Sequence, residues 1–273
     1  MSELTKAVIL ARGLGTRMRK ADDGAELSEA EQAVAATGVK AMIPIADGHT
    51  FVEFVLSELA DVGYTDVCLV IGPEHDAVRA FFEGLPMSRL RLHFAIQAEP
   101  LGTADAVAAV AQFAGDDDVL VINSDNYYPP EALAGLRELE GPGLAAFERE
   151  GMLAGSNIPA DRISKFAVIE TNADGSMSKI LEKPEPDVVA ALPEPISVSM
   201  NCWRFGPKIF AACAAIEPSP RGELEITDAV QYAIDELGET FAAPRFSAPV
   251  LDLSSRADIA PVQAALDGAV VRL

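Results

Sequence analysis

Lys6-Ala-Val-Ile-Leu-Ala-Arg-Gly-Leu-Gly-Thr-Arg-Met-Arg-Lys20 begins as an unbroken apolar run and ends as a glycine-punctuated basic loop. Ala7–Ala11 is short and continuous rather than alternating, the pattern of a strand covered on both faces in a parallel sheet, although periodicity alone leaves a buried helix open. The carboxyl end of such a strand is where open α/β sheets bind ligands. Gly13 and Gly15 permit positive φ and a close backbone approach, so consecutive N–H groups can face an anion. Arg17, Arg19 and Lys20 supply charge beside them. Two readings stand together here, a phosphate-binding loop and an ordinary basic turn behind a core strand, because Gly-x-Gly alone is a weak signal. Met18 stands where a dinucleotide fingerprint needs its third glycine, and no Lys-Ser/Thr pair follows the glycines as a P-loop requires.

With 49% apolar residues among 273, the chain can bury a large core in one α/β domain or two close lobes. No apolar run reaches membrane-spanning length, and charged residues occupy the N-terminus where a signal peptide needs an apolar segment. A soluble, cytoplasmic protein without a membrane partner is expected. Cys68, Cys202 and Cys213 sit in apolar contexts without a Cys-x-x-Cys, as buried thiols in a reducing compartment do. His49, His75 and His93 are isolated and lack zinc spacing, which favours surface or packing roles. The formal charge of −21 argues against a nucleic-acid partner, whose phosphates need Lys and Arg. Residues 1–40 nevertheless hold six basic and six acidic side chains, and within 1–20 the tally is five to one. A positive island in an acidic chain suits a compact anion better than an extended polyanion.

Downstream, Ser28-Glu-Ala-Glu31 is a capping box and Gly38 a C′ residue, so the polar segment Ala21–Val39 predicts a short helix beside the loop. A lid and a solvated excursion are both compatible with it. Lys40-Ala-Met-Ile-Pro-Ile45 returns the chain to the core. Val52, Val55, Leu56 and Leu59 recur at helical spacing up to Gly63, and Asp66–Ile71 reads as a strand. Glu74–Phe82 reads as helix, Leu92–Gln97 as strand, Ala104–Phe113 as a helix with Thr103 as N-cap, and Asp118–Asp125 as a strand ending in a carboxylate. This alternation predicts an α/β fold, Rossmann-like, with a mainly parallel (mixed) sheet sandwiched by helices. Past Gly141-Pro-Gly143 the rhythm changes: Ala145–Glu148, Phe166–Glu170 and Lys179–Glu182 are strand-like, and Asn172–Gly175 is a hairpin-type turn. Pro184–Pro195 reads as a loop, Ile196–Phe205 as strand, Lys208–Ile216 and Ile226–Leu237 as helices, and Val250–Leu253 as a short strand before a last helix, Ala257–Leu266. One domain over 1–273 is expected, with halves meeting near residue 140. No hexapeptide repeat follows, so no trailing β-helix is expected.

At Gly13-Leu-Gly-Thr-Arg17 and Lys40-Ala-Met-Ile-Pro44 the chain resembles the sugar-1-phosphate nucleotidyltransferases. Further matches follow in order. Gln97-Ala-Glu-Pro-Leu-Gly-Thr-Ala-Asp-Ala106 is similar to that family's base-recognition segment, Asn123-Ser-Asp-Asn126 to its metal-binding Gly-Asp-Asn, and Glu182-Lys-Pro184 to its Glu-Lys-Pro. Arg221-Gly-Glu-Leu-Glu-Ile-Thr-Asp228 and Leu251-Asp-Leu-Ser-Ser-Arg-Ala-Asp258 match later segments, so the likeness covers residues 6–258. The resemblance implies a nucleotide-diphospho-sugar transferase fold. It also implies in-line attack of a sugar 1-phosphate on the α-phosphorus of a nucleoside triphosphate, a reaction served by positioning and charge neutralisation rather than a protein nucleophile.

By that resemblance Leu10, Ala11, Arg12, Gly13, Gly15 and Thr16 would line the nucleotide, with Arg17 and Lys40 catalytic on the triphosphate and Lys183 on the sugar phosphate. Asp125 and Asp252 would hold Mg²⁺, although a helix cap competes for Asp252. Gln97 can donate to and accept from a base edge, and Gly102, with Thr103 beside it, lets a base lie against backbone, which favours UTP or dTTP. Glu182, Ala167 and Asn201 would face the sugar, a turn or strand-edge role for Asn201 being equally open. The chain departs from the family at Arg12 and Asn201, where glycine is more usual, at Val39, where proline is common, and in the insertion between Arg17 and Lys40. Two rival readings are a catalytically silent nucleotide-binding regulator on the same fold and an NAD-dependent oxidoreductase, which the failed fingerprint disfavours. The sugar is not legible, and a homo-oligomer stays open.

Overall fold

The computed structural model describes residues 3–13, 15–20, 27–182 and 184–273. Nine strands among them build one sheet: β1 (Lys6–Leu10), β2 (Asp66–Ile71), β3 (Arg91–Ile96), β4 (Val119–Asn123), β5 (Gly143–Glu148), β6 (Val168–Thr171), β7 (Met177–Leu181), β8 (Ser197–Phe205) and β9 (Arg245–Phe246). Along the sheet the order is β7-β6-β8-β4-β1-β2-β3, and β5 branches off to pair with β8 and β9. β4, β1, β2 and β3 run parallel, in register Ala7↔Leu120, Ala7↔Val67 and Val67↔Leu92. β8 is antiparallel to β4, β5 and β6, so the change of rhythm after Gly143 is a change of strand polarity within one sheet.

The opening run is buried on both sides, as its continuity predicts. Ala7 and Ile9 of β1 join one apolar cluster while Val8 joins a second, and β2 divides in the same way, with Val67, Leu69 and Ile71 on one face and Cys68 and Val70 on the other. Since strand side chains alternate, a run without polar interruptions needs cover on both faces. The helices Phe51–Val62 and Pro130–Glu138 supply it on one face, and Thr103–Ala108, Lys208–Ala215 and Ile226–Asp235 on the other. Each fully buried Val, Leu or Ile here contributes about 1.5–3 kcal/mol, so the two faces hold the strand ends, and hence the loops, in fixed relation.

Local signals account for several boundaries. Ser28 accepts from the Glu31 N–H while the Glu31 carboxylate accepts from the Ser28 N–H, which starts the helix Glu29–Thr37, and Gly38 ends it at φ 78°. Thr50 and Glu53 form the same box ahead of Phe51–Val62, which ends at Gly63. Three expectations need correction. The segment Ala104–Phe113 is two helices, Thr103–Ala108 and Ala111–Ala114, with the Lys6 Nζ donating to the carbonyls of Phe113 and Ala114 at the far end. Thr103 does not cap its own helix; its hydroxyl accepts from the N–H of Ile226 and caps the start of Ile226–Asp235 instead. Pro184–Pro195 contains a short helix, Pro186–Ala190, with proline in its first turn where the missing N–H is harmless. All three cysteines are free and buried, and burial pushes the Cys68 and Cys213 thiols up to about 12. Among the described residues no helix is long and apolar enough to cross a membrane.

Candidate functional site

β1 delivers its loop between the ends of β2 and β4, where the N–H of Ala11 donates to Val70 O (2.9 Å) and that of Ser124 to Leu10 O (3.1 Å). The chain then turns through Gly15, at φ 57°, into the single helical turn Thr16–Arg19. Gly15 is constrained twice. Its φ disfavours any Cβ, and a Cβ built there would lie 2.1 Å from the carbonyl oxygen of Gly38, the residue that ends the inserted helix. Arg19 ties the same helix down by donating to Thr37 O at 3.0 and 2.7 Å, and Gln263 donates to Glu31, so the helix is fastened beside the loop while most of its residues stay exposed. Residues 21–26 lie outside the described residues.

Gly15→Ala should therefore lower stability by at least about 1–2 kcal/mol, roughly 2–8 °C in Tm for a chain of this size. Gly13→Ala is its control, because a Cβ at Gly13 meets nothing within 4 Å. Thermal denaturation of both variants checks the contrast.

The loop opens onto a cavity of about 560 Å³, a size that suits a nucleotide-scale ligand. Leu10, Ala11, Arg12, Gly13, Gly15, Thr16 and Arg17 line it from the loop, Lys40 from the return of the chain, Gln97, Gly102 and Thr103 from the segment after β3, and Asp125 from the turn after β4. Thus twelve residues singled out in the sequence meet in one place. Lys40 reaches across to Asp125, with Nζ 2.7 Å from Oδ2, so each charge is neutralised by the other. Arg17 is exposed and lines the cavity, and among the described residues no carboxylate pairs with it. Gln97 is buried, and its amide group donates to Gly102 O (3.0 Å) and Asp105 Oδ2 (2.8 Å). An amide NH₂ has two hydrogens, so Gln97 keeps only an acceptor for a ligand, where the sequence reading allowed both roles.

The remaining candidates lie off these walls. Asp252 is brought beside Asp125 through backbone, since Leu251–Asp252 pairs with Asn126–Tyr127 and the N–H of Leu253 donates to Asp125 O (2.8 Å). Its carboxylate is buried, accepts from Asn126 Nδ2 (3.1 Å) and forms an ion pair with Arg162, which also approaches Asp258 at 3.4 Å. Among the described residues no group of three or more His, Cys, Asp or Glu is gathered as a metal site would gather them. Asn201 occupies a bulge in β8 at φ 54°, which explains why a glycine-compatible residue stands there, and its Oδ1 accepts from the Trp203 indole (3.3 Å). The carbonyl of Ala167 is taken by the N–H of Ser199 (2.8 Å). Glu182 follows β7, its carboxyl pushed up by burial against the opposing pull of Arg221, whose Nη2 is 3.6 Å away. Lys183 lies outside the described residues.

One connecting segment escaped the residue assignments although its likeness was visible. Arg221 stands beside Glu182, Glu223 lines the cavity, and Leu224 exchanges backbone hydrogen bonds with Leu101 and Ala104. Residues 221–224 therefore bridge the cavity to Glu182.

Residues 6–246 match the protein family described as Nucleotidyl transferase. The chain belongs to that family of sugar-1-phosphate nucleotidyltransferases. It is 31% identical over 230 residues to a glucose-1-phosphate thymidylyltransferase of Streptomyces griseus, covering 84% of this chain and 57% of that protein. It is 28% identical over 254 residues to a UTP–glucose-1-phosphate uridylyltransferase of Haloferax volcanii, covering 91% of this chain and 90% of that one. The chain thus spans less than three fifths of the length of the Streptomyces relative. A UDP-glucose pyrophosphorylase solved with UDP-glucose shares the fold at TM-score 0.73 and 18% identity, with 97% of this chain and 98% of that one superposed.

Proposed function

We propose that this nucleotidyltransferase moves a nucleotidyl group from UTP or dTTP to a sugar 1-phosphate. An oxygen of the sugar phosphate bonds to the α-phosphorus, the bond from that phosphorus to the β-phosphate bridge breaks, and pyrophosphate leaves. The observation that carries this reading is the convergence of the loop, Arg17, Lys40, Asp125 and Gln97 on one cavity. Phosphoryl chemistry of this kind needs oriented donors and cations more than a nucleophilic side chain.

In this reading the N–H groups of Gly13, Gly15 and Thr16 and the side chain of Arg17 hold the triphosphate, while Leu10, Ala11 and Thr103 border the nucleoside. Gln97, left with an acceptor only, suits the imide N–H of uracil or thymine and rejects the bare ring nitrogen of cytosine, and Gly102 lets the base lie against backbone. Lys40 moves from Asp125 to the phosphates. Lys183 would face the sugar phosphate, with Glu182, Asn201 and the backbone near Ala167 around the sugar. Asp125 fits a magnesium ion, which needs only one or two carboxylates when phosphate oxygens complete its shell; the ion supplies charge neutralisation at the phosphates. Asp252 fits less well, because Arg162 already answers its charge. Three free thiols are in keeping with a cytoplasmic setting.

A matrix of nucleoside triphosphates against sugar 1-phosphates, read by pyrophosphate release with Mg²⁺, tests the proposal. Turnover should concentrate in the UTP and dTTP columns. Absence of release in every pairing, with triphosphate binding retained, would leave a silent nucleotide-binding regulator on the same fold.

A further inference from the structure

We infer that Arg12 is a positioning residue for base specificity: together with Glu74 it straps the backbone of Gln97 to the end of β1 and fixes the slot that receives the base. The inference rests on the transferase reading of the cavity and deepens it.

Arg12 belongs to the basic loop, yet its guanidinium does not stand free for phosphate. Its side chain is only 8% exposed. Nη1 donates to the carbonyl of Gln97 at 2.5 Å, while Nε and Nη2 fork onto the two oxygens of Glu74 at 3.3 and 3.2 Å. Each of its three nitrogens thereby has a protein acceptor. The strap needs room for the Glu74 carboxylate to fold back, and Gly72 leaves it, since a Cβ there would lie 2.3–2.4 Å from that carboxylate. From the other direction the base-recognition segment is zipped to Leu224, whose N–H donates to Leu101 O (2.8 Å) and whose carbonyl accepts from Ala104 (2.9 Å). Gly102, at φ 132°, has no space for a side chain against Leu224. Gln97 also donates its own N–H to Ile71 O (2.9 Å). The segment between Gln97 and Ala104 is thus anchored at both ends, and Arg12 holds the end that carries the base-reading amide. The Arg12 side chain then sets the slot's width and rigidity, and pre-organisation of this sort acts on selectivity more than on uniform affinity.

Equilibrium binding of UTP, dTTP, CTP, ATP, GTP and inorganic pyrophosphate to wild type, Arg12→Ala, Arg12→Lys and Glu74→Gln reads the strap without turnover. Arg12→Ala should weaken the preferred triphosphate about tenfold, leave the disfavoured ones and pyrophosphate nearly unchanged, and so flatten the preference. Arg12→Lys should lose less, because one ammonium can keep the Gln97 contact, and Glu74→Gln should fall between them. Equal weakening of all triphosphates and of pyrophosphate would make Arg12 a phosphate ligand and overturn the inference, as would an unchanged preference or a wild type that binds every base alike. Should Arg12→Ala not fold, Glu74→Gln decides, since Glu74 is half exposed. Selective binding without turnover would sink the transferase reading and leave the strap standing; turnover with unchanged selectivity in the variants would sink the strap alone.

Discussion

Asp125→Asn should lower metal-dependent turnover by roughly 10²–10³-fold, the usual effect of removing one preorganised electrostatic group from a transfer site, while the protein remains folded. The backbone at residue 125 is held without help from the side chain: Leu253 donates to its carbonyl, and Ser124 before it is fastened to Leu10. Asparagine keeps the shape and can still accept a hydrogen bond from Lys40, so only charge is lost. That charge sits in a pair whose side chains are 17% and 24% exposed, and an ion pair in such a partly solvated place contributes about 1 kcal/mol or less. Tm should accordingly fall by no more than about 4 °C. Manganese binding in the presence of nucleotide, followed by its paramagnetic signal, should weaken in parallel with turnover. Near-normal pyrophosphate release by the variant would reduce Asp125 to a solvated strand end and remove the metal assignment.

Most of what positions this carboxylate was legible because it follows from short-range rules. Continuous apolar runs at Ala7–Ala11 and in the strand before Asp125 require cover on two faces, and the two apolar clusters provide it. Capping boxes at Ser28 and helix-ending glycines at Gly38 and Gly63 fix boundaries within four residues of chain, and the structure has them where the residues put them. Apart from the short helix Pro186–Ala190, what escaped is long-range. Nothing near Thr103 announces that its hydroxyl serves Ile226, and nothing in Ala104–Phe113 announces a break whose far end is gripped by Lys6. Asp252 shows the same limit within the site. Its local turn looks like a ligand turn, and nothing in that turn announces Arg162, from a stretch read as neither helix nor motif, which stands beside the carboxylate as a counter-charge. Arg12 was conspicuous as a departure in the loop, and only the approach of Glu74 and Gln97 shows where its donors go.

Arg17→Ala should lower kcat by roughly 10²–10³-fold and change KM for the triphosphate only a few-fold. The single helical turn that carries Arg17 is fixed by its neighbours. Met18 is fully buried, its carbonyl accepts from Arg256 (3.0 Å), and Arg19 is tied to Thr37, so removing the Arg17 side chain leaves its backbone in place. The side chain itself is exposed and pairs with no carboxylate among the described residues, and truncations of that kind shift stability by only about 0.5 kcal/mol. A guanidinium held beside the triphosphate meets little extra charge in the ground state. It meets more as the bond to the β-phosphate lengthens and the leaving pyrophosphate gathers negative charge, and an interaction that strengthens in this way appears in kcat. Arg17→Lys should recover part of the loss, because an ammonium restores the charge but lacks the two-pronged fit of a guanidinium to phosphate oxygens. An Arg17→Ala effect confined to KM would assign the residue to uniform triphosphate binding instead, and Lys40, released from Asp125 to the phosphates, would then be the cation left to carry the developing charge.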